Sequence, residues 1–242
     1  MPFTDLHSHL LWETDDGALD EGESLQLCES LVRAGFSDAA CTAHAWPELP
    51  DAAANAERRA ELQALLDQRG IALRLHPGAE NRLDGALLER VARGDARPLG
   101  AGPWVLPWVL VEAPHQLPLP GLAELCFRLQ IAGLRPLLAH PERCRAFHDD
   151  AGLAARLVQA GCGLQIELGS LSGAYGKPAL RLARRLLDQG LVAVAASDVH
   201  RPTSGARLLE FGLLALRKAV GEAALSLLLD QNPRRVLRGD PL

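Results

Sequence analysis

The segment TDLHSHLLWETDDGALDEGESL, residues 4–25, sets His7 and His9 two positions apart at the end of a short apolar stretch, with Asp15 and Asp16 close behind. Side chains two apart on a strand share a face, so the two imidazoles point together. Asp198 and His200 in ASDVH form a second such pair near the other end of the chain. Between them lie His44 in TAHAWP, Glu80 in GAE, Glu112 in VEAP and His140 in LAHPER, each where a short apolar run stops. Any one of these has an ordinary explanation. A lone His-x-His is readily a hydrogen-bonded pair, and a lone Glu at a strand end is readily a cap or an ion-pair partner. The joint placement is what points to a metal site. His7, His9, His44, His140 and His200 all fall at expected strand ends, while His76, His115 and His148 scatter and receive no role. Asp16 lies in the loop after the first strand. Spacing leaves it balanced between a ligand and a turn residue, since DDG is good turn chemistry. Asp20 and Glu23 resemble a helix capping box.

Imidazole and carboxylate without thiolate suit Zn, Mn or Fe and exclude a closed structural zinc site. The candidates are too many for one ion. A carboxylate such as Glu80 can bridge, so two or three ions fit. Clustered ions acidify a shared water and clamp an in-line displacement. Hydrolysis of a phosphate ester or an amide is the chemistry such a cluster serves.

The elements that must gather these residues recur along the chain. A helical pattern ends in Gly, and an apolar strand follows at once, in RAGFSDAACTAH, QRGIALRLHPGAE, IAGLRPLLAHPE, QAGCGLQIELG and DQGLVAVAASD. Gly35, Gly70, Gly133, Gly161 and Gly190 are expected to be left-handed helix stops. The helices are amphipathic, as at Leu122, Leu125, Cys126 and Leu129. The strands are nearly continuous apolar runs, the pattern of strands covered on both faces. TDLHSH and WVLVEAP add two more. Alternating helices and strands of this kind predict parallel βα units. About seven strands fit a (β/α) barrel, whose strand C-termini meet at one mouth. The competing fold is an open doubly wound sheet, and the absence of G-x-G-x-x-G after the first strand speaks against its dinucleotide-binding form. No Pro-, Gly- or Ser-rich linker divides the chain. Residues 95–107 are the longest loop-like stretch and read as a connection within a single domain, 1–242.

Composition excludes several function classes. The net charge is −5, and no long basic run marks a nucleic-acid binder. The cysteines Cys28, Cys41, Cys126, Cys144 and Cys162 show no C-x-x-C spacing, which reads as free thiols in a reducing compartment. No signal-peptide pattern and no long apolar run are present, so a soluble cytoplasmic protein without membrane insertion is expected. The oligomeric state is not legible.

DLHSHLLWETDDGA, TAHAWP, GAE, VEAP, LAHPER and ASDVH resemble the successive motifs of the PHP (polymerase and histidinol phosphatase) superfamily. The DDGA…ES entry, AHPER and GSLSGAYG are most similar to its bacterial manganese-dependent protein-tyrosine phosphatases, encoded with capsule and exopolysaccharide genes. The resemblance runs from residue 3 to about 235. It implies a distorted, TIM-like (β/α)7 barrel of the PHP type and a trinuclear site of divalent ions, Mn first, with Fe or Zn as alternatives. Its ligands would be His7, His9, Asp16, His44, Glu80, Glu112, His140, Asp198 and His200. Arg143 would hold the substrate phosphate, for which a bidentate guanidinium is well shaped. The family's second phosphate-binding Arg corresponds to Arg201 or Arg207. Arg207 is preferred because it is expected to open the next helix. Glu167 stands where relatives carry a small polar residue and reads as a hydrogen-bonding acid behind the site. The implied reaction is phosphomonoester hydrolysis, with His200 or His44 organising the site. The Cys-x5-Arg signature of thiol phosphatases is absent. The implied partner is a phosphotyrosine protein, a bacterial tyrosine kinase of capsule synthesis. Alternatives are a PHP phosphatase for histidinol phosphate or a nucleotide, a metal-dependent amidohydrolase, and a non-catalytic metal-stabilised binding module.

Overall fold

The structure, a computed structural model, describes all residues except 1, 47, 48, 50, 51, 105 and 118. Pro47 of TAHAWP and Val105 of the 95–107 loop therefore lie outside the described residues. The elements run β1 (Phe3–Asp5), α1 (Glu21–Arg33), β2 (Phe36–Cys41), β3 (His44–Ala45), α2 (Ala52–Arg69), β4 (Arg74–Pro77), β5 (Glu80–Arg82), α3 (Leu87–Arg93), β6 (Trp108–Glu112), α4 (Leu122–Ile131) and β7 (Arg135–Ala139). After a short 3-10 turn follow α5 (Arg145–Asp149), α6 (Leu153–Gln159), β8 (Gly163–Glu167), α7 (Leu168–Ser172), α8 (Gly176–Asp188), β9 (Val194–Ala196) and α9 (Pro202–Ser226). A π-helical turn then leads into α10 (Asn232–Leu237).

Among the described residues every strand pairing is parallel, as the alternation of helices and apolar runs predicts. One sheet has the order β1-β2-β4 and the other β3-β5-β6-β7-β8-β9. Each of the five glycines read as helix stops has a positive φ, between 65° at Gly190 and 98° at Gly35. The capping box is present, with Asp20 accepting from the Glu23 amide at 2.9 Å, although Glu23 accepts in turn from Leu19 rather than from Asp20.

Two strands are broken where the sequence suggested continuous runs. The chain leaves β2 at Cys41 and resumes pairing as β3 at His44; β4 ends at Pro77 and β5 begins at Glu80. Both breaks fall just before a predicted ligand. The β1 strand also stops earlier than expected, at Asp5. Beyond it the chain reaches β9's extension through a parallel bridge between Ser8 and Val199. The Asp198 amide donates to His7 O at 2.8 Å and the His9 amide to Val199 O at 3.0 Å.

The pleat sorts the core. Val109, Val111, Leu138 and Leu164 pack outward against α4 and α6, while Trp108, Leu110, Leu137, Ala139 and Val194 form a separate inner cluster with Leu6 and Ala40. Alternation along the strands then puts Glu112 on the face of Leu110. Gln165 and Glu167 alternate with outward Leu164 and Ile166 and are fully buried. The inner face is thus apolar towards the strand N-termini and polar at their C-terminal ends.

Candidate metal centre

The predicted side chains meet at those C-terminal ends. Glu80 is central. Its Oε2 lies 3.2 Å from His7 Nε2, 3.5 Å from His9 Nε2 and 3.0 Å from His44 Nδ1, and its Oε1 lies 2.9 Å from His140 Nε2. Asp198 Oδ1 lies 3.2 Å from His7 Nε2 and 3.3 Å from His9 Nε2. Asp16 Oδ1 is 3.5 Å from His44 Nε2 and 3.4 Å from His200 Nε2. Glu112 Oε1 is 3.9 Å from His140 Nε2. All nine candidates fall into overlapping groups whose donor atoms lie within 4.8 Å of one another. Glu80 belongs to two of these groups, as a bridging carboxylate would. Asp16 is the outermost member, its side chain 67% exposed, whereas the others are buried or partly so.

The outward nitrogens of the imidazoles are already occupied. His7 Nδ1 donates to Gln165 Oε1 at 2.9 Å, and the Gln165 amide group is oriented by donating to Ile166 O. His9 Nδ1 donates to Asp15 Oδ2 at 2.6 Å. His200 Nδ1 donates to the Asp198 carbonyl at 2.9 Å. These oxygens can only accept, so Nδ1 of each ring carries a proton and Nε2 faces inward. This is how ligating histidines are fixed in metal sites. His140 instead faces another ring, its Nδ1 3.3 Å from His115 Nε2. Asp15 does more than orient one ring. Its Oδ2 also accepts from the His44 amide at 2.9 Å and its Oδ1 from the Gly17 amide at 2.9 Å. Gly17 has to be small, since a Cβ there would lie 2.4 Å from His9 O.

Two candidates sit in strained backbone. His140 has φ 29° and Asp198 φ 52°, left-handed values that non-glycine residues avoid and that collect at functional sites. His140 directly follows β7, and Asp198 stands two residues past the end of β9.

The electrostatics ask for cations. Burial opposes charge on His7, yet Glu80 and then Asp198 more than offset it and hold this imidazole at about 10. Burial would raise Glu80, but the surrounding imidazoles pull it well down. Burial, then Glu80, push Glu112 up. Two buried polar atoms at the centre, Asp198 Oδ1 and His44 Nδ1, have no hydrogen-bond partner. Inward-facing Nε2 atoms, unpartnered buried ligand atoms and buried carboxylates balanced only by ring protons are what divalent ions would satisfy, so the residues fit a metal cluster.

Arg143 borders the cup. Its Nη1 donates to Glu167 Oε2 at 2.8 Å and to Asp198 Oδ2 at 3.0 Å. Beside it opens a cavity of about 260 Å³ lined by Asp16, Arg143, Tyr175, Ser197, His200 and Ser204, among others. Arg207 is not at this wall. The helix α9 opens at Pro202 rather than near Arg207, and the Arg207 guanidinium lies exposed, 6.0 Å from the Phe211 ring. Arg201 caps that helix and donates to Glu23 at 3.2 Å. Asp15, Gln165 and His115, all in contact with candidate ligands, went unassigned by sequence reasoning.

The fold and site define a parallel α/β protein with a histidine–carboxylate centre at its strand C-termini. Residues 3–238 match the model of the capsular polysaccharide synthesis family CpsB/CapC, and the chain belongs to that family. It is 31% identical over 243 residues to the tyrosine-protein phosphatase YwqE of Bacillus subtilis, covering 98% of this chain and 92% of the relative. It is 25% identical over 241 residues to the tyrosine-protein phosphatase CpsB of Streptococcus pneumoniae, covering 96% of this chain and 97% of the relative. A crystal structure from work on YwqE and CpsB, described as unique metal-dependent tyrosine phosphatases, superposes with a TM-score of 0.89 at 29% identity, covering 99% of this chain and 96% of that one. The Escherichia coli phosphotriesterase homology protein shares the fold alone, with a TM-score of 0.59 at 12% identity over 98% of each chain.

Proposed function

We propose that this chain is a metal-dependent protein-tyrosine phosphatase, acting in the cytoplasm on a bacterial tyrosine kinase of capsule or exopolysaccharide synthesis. The kinship with YwqE and CpsB supports the activity. The observation that carries it in this molecule is the position of Arg143, which stands at the rim of a cavity whose floor includes Asp198 and His200. We read the two sheets as one distorted (β/α)7 barrel in a single domain, because β2 with β3 and β4 with β5 each continue one stave. Among the described residues, no helix is long and apolar enough to cross a membrane.

His7, His9, Asp16, His44, Glu80, Glu112, His140, Asp198 and His200 would hold two or three divalent ions, manganese first and iron or zinc as alternatives. When bound, such ions polarise the phosphoryl oxygens and acidify water. Gln165, Asp15, His115 and the Asp198 carbonyl keep the imidazole lone pairs aimed at them. Arg143 binds the phosphate and stabilises charge on its oxygens as the ester bond breaks. His200, with its proton fixed on Nδ1, keeps its Nε2 at the cavity wall beside Asp16. No cysteine lines this cavity, and all five are buried.

The test is turnover of phosphotyrosine peptides against histidinol phosphate and nucleotides by manganese-loaded protein. Faster turnover of the peptides, abolished by a chelator and indifferent to a thiol alkylator, is expected. Equal or better turnover of the small metabolites overturns the substrate, and inactivation by the alkylator alone overturns the mechanism.

A further inference from the structure

Arg143 is gripped by more than its ion pairs. The ring of Tyr175 lies against the guanidinium, whose Cζ is 4.1 Å from the ring centroid. Tyr175 caps the N-terminus of α8, eight residues beyond Glu167 along the chain. Between them, Gly169 makes the arrangement possible. A Cβ at that position would lie 2.8 Å from Glu167 Oε1 and 2.9 Å from Tyr175 Cε2, so the ring rests directly on the bare α-carbon. Burial, then the adjacent Glu167 carboxylate, push the Tyr175 phenol up, so it remains a neutral hydroxyl.

This grip uses one face and one corner of the guanidinium. Nη1 is engaged by Glu167 and Asp198, while Nε and Nη2 have no hydrogen-bond partner among the described residues. Arg143 and Tyr175 together form the wall between the cavity of about 260 Å³ and a second one of about 230 Å³ lined by His115, Gln116 and His148. An unsupported Arg side chain has many rotamers, and each incoming phosphate would have to order it. A guanidinium already stacked and ion-paired presents its free edge in one plane.

We propose, on the reading of Arg143 as the phosphate-binding residue, that Tyr175 is a positioning residue. Its ring, supported by Gly169 and Glu167, fixes the plane of Arg143 so that the unpaired N–H edge meets the phosphoryl oxygens. The effect belongs to phosphate binding, because the ring packs on the Arg143 guanidinium, although Tyr175 lines the same cavity as Asp16 and His200.

The experiment compares wild type, Tyr175→Phe and Tyr175→Ala, each loaded with manganese. For each, kcat and KM for a phosphotyrosine peptide, the dissociation constant of inorganic phosphate by direct titration, and bound manganese are measured. Loss of the stacked ring is expected to raise KM and the phosphate dissociation constant together by about five- to tenfold in Tyr175→Ala. Its kcat should change less and its manganese content not at all. Tyr175→Phe keeps the ring and should stay within about twofold of wild type. An unchanged phosphate dissociation constant in Tyr175→Ala overturns the proposal, as does Tyr175→Phe matching Tyr175→Ala, or a loss confined to kcat or to manganese. If the wild type fails to hydrolyse phosphotyrosine, the tyrosine-phosphatase reading falls, while the phosphate titration still decides the role of Tyr175.

Discussion

His9 and Asp15 are joined by a hydrogen bond of 2.6 Å from Nδ1 to Oδ2, inside a loop whose carboxylate is wholly enclosed. Asp15 also ties down the amides of Gly17 and His44. One carboxylate therefore sets the ring of one candidate ligand and the backbone of another. Asp15→Ala should weaken manganese binding by roughly 10–100-fold, the usual cost of removing the partner of a ligating histidine. Competition with a chromogenic chelator measures it, and an unchanged affinity would show that the loop holds its shape without this acid. Asp15→Asn should lose less, because an amide oxygen in the place of Oδ2 can still accept from His9 Nδ1 and the His44 amide.

Asp15 also marks the limit of what the sequence discloses. The strand positions and helix stops are local signals, and the glycine-then-apolar-run unit located them. The candidate ligands were legible because the same residue types recur where those runs end. Asp15 stands next to Asp16 in a turn, and nothing local says which of the two faces inward. Gln165 is 158 positions from His7, so their contact exists only after folding. The left-handed backbone at His140 and Asp198 carries no glycine to announce it. Arg207 shows the converse. An expected place at the opening of the next helix suggested phosphate binding, but α9 opens at Pro202, and the exposed Arg207 guanidinium lies 6.0 Å from the Phe211 ring, outside the lining of the cavity.

Arg143 has a structural duty that can be separated from its proposed contact with phosphate. It is the cation facing two buried carboxylates, Glu167 and Asp198. Arg143→Met should lower kcat/KM by about 10²-fold or more, as for loss of a donor that stabilises developing charge. It should also destabilise the fold by about 1–3 kcal/mol, less than a fully buried pair would because the guanidinium is partly exposed. Burial, then the Asp198 carboxylate, push Glu167 well up, so a neutral Gln is tolerated there. The double variant Arg143→Met/Glu167→Gln should regain much of the stability in urea and none of the activity. Recovery of activity in the double variant would show that Arg143 does not bind substrate.

A second His–Asp pair, far from the centre, should shape the acid limb of the stability curve. His76 Nε2 lies 2.9 Å from Asp38 Oδ1, Ser37 donates to Oδ2 at 2.7 Å and Arg234 Nη2 lies 3.5 Å from Oδ2. The His76 hydrogen bond is the main reason the Asp38 carboxyl is held below its ordinary value, with burial opposing it. A depressed folded value means the contribution is complete above the unfolded value of about 3.9 and is lost as pH falls through the lower, folded value. The stability advantage of wild type over Asp38→Asn should therefore shrink below about pH 4. Denaturant midpoints of the two metal-free proteins across that range measure it. An advantage that grows on acidification would rule out this linkage.

The last prediction concerns how the helices hold the rim of the cup. α7 begins immediately after Glu167, and α9 crosses it so closely that a Cβ on Gly212 would lie 2.4 Å from Leu168 O. A backbone carbonyl cannot swing aside as a side-chain tip can, so Gly212→Ala must push the helices apart. Overpacking of this kind costs about 1–3 kcal/mol, which lowers Tm by about 2–4 °C per kcal/mol in a chain of this length. Leu168 adjoins Glu167, so the shift should also loosen Arg143 and raise KM for a phosphotyrosine peptide. Manganese content at saturation should stay constant, because no candidate ligand lies on either helix. Calorimetry and steady-state kinetics on the one variant test both halves. An unchanged Tm would mean that the contact of α7 and α9 is looser than the structure has it, and an unchanged KM with a lowered Tm would disconnect that contact from Arg143.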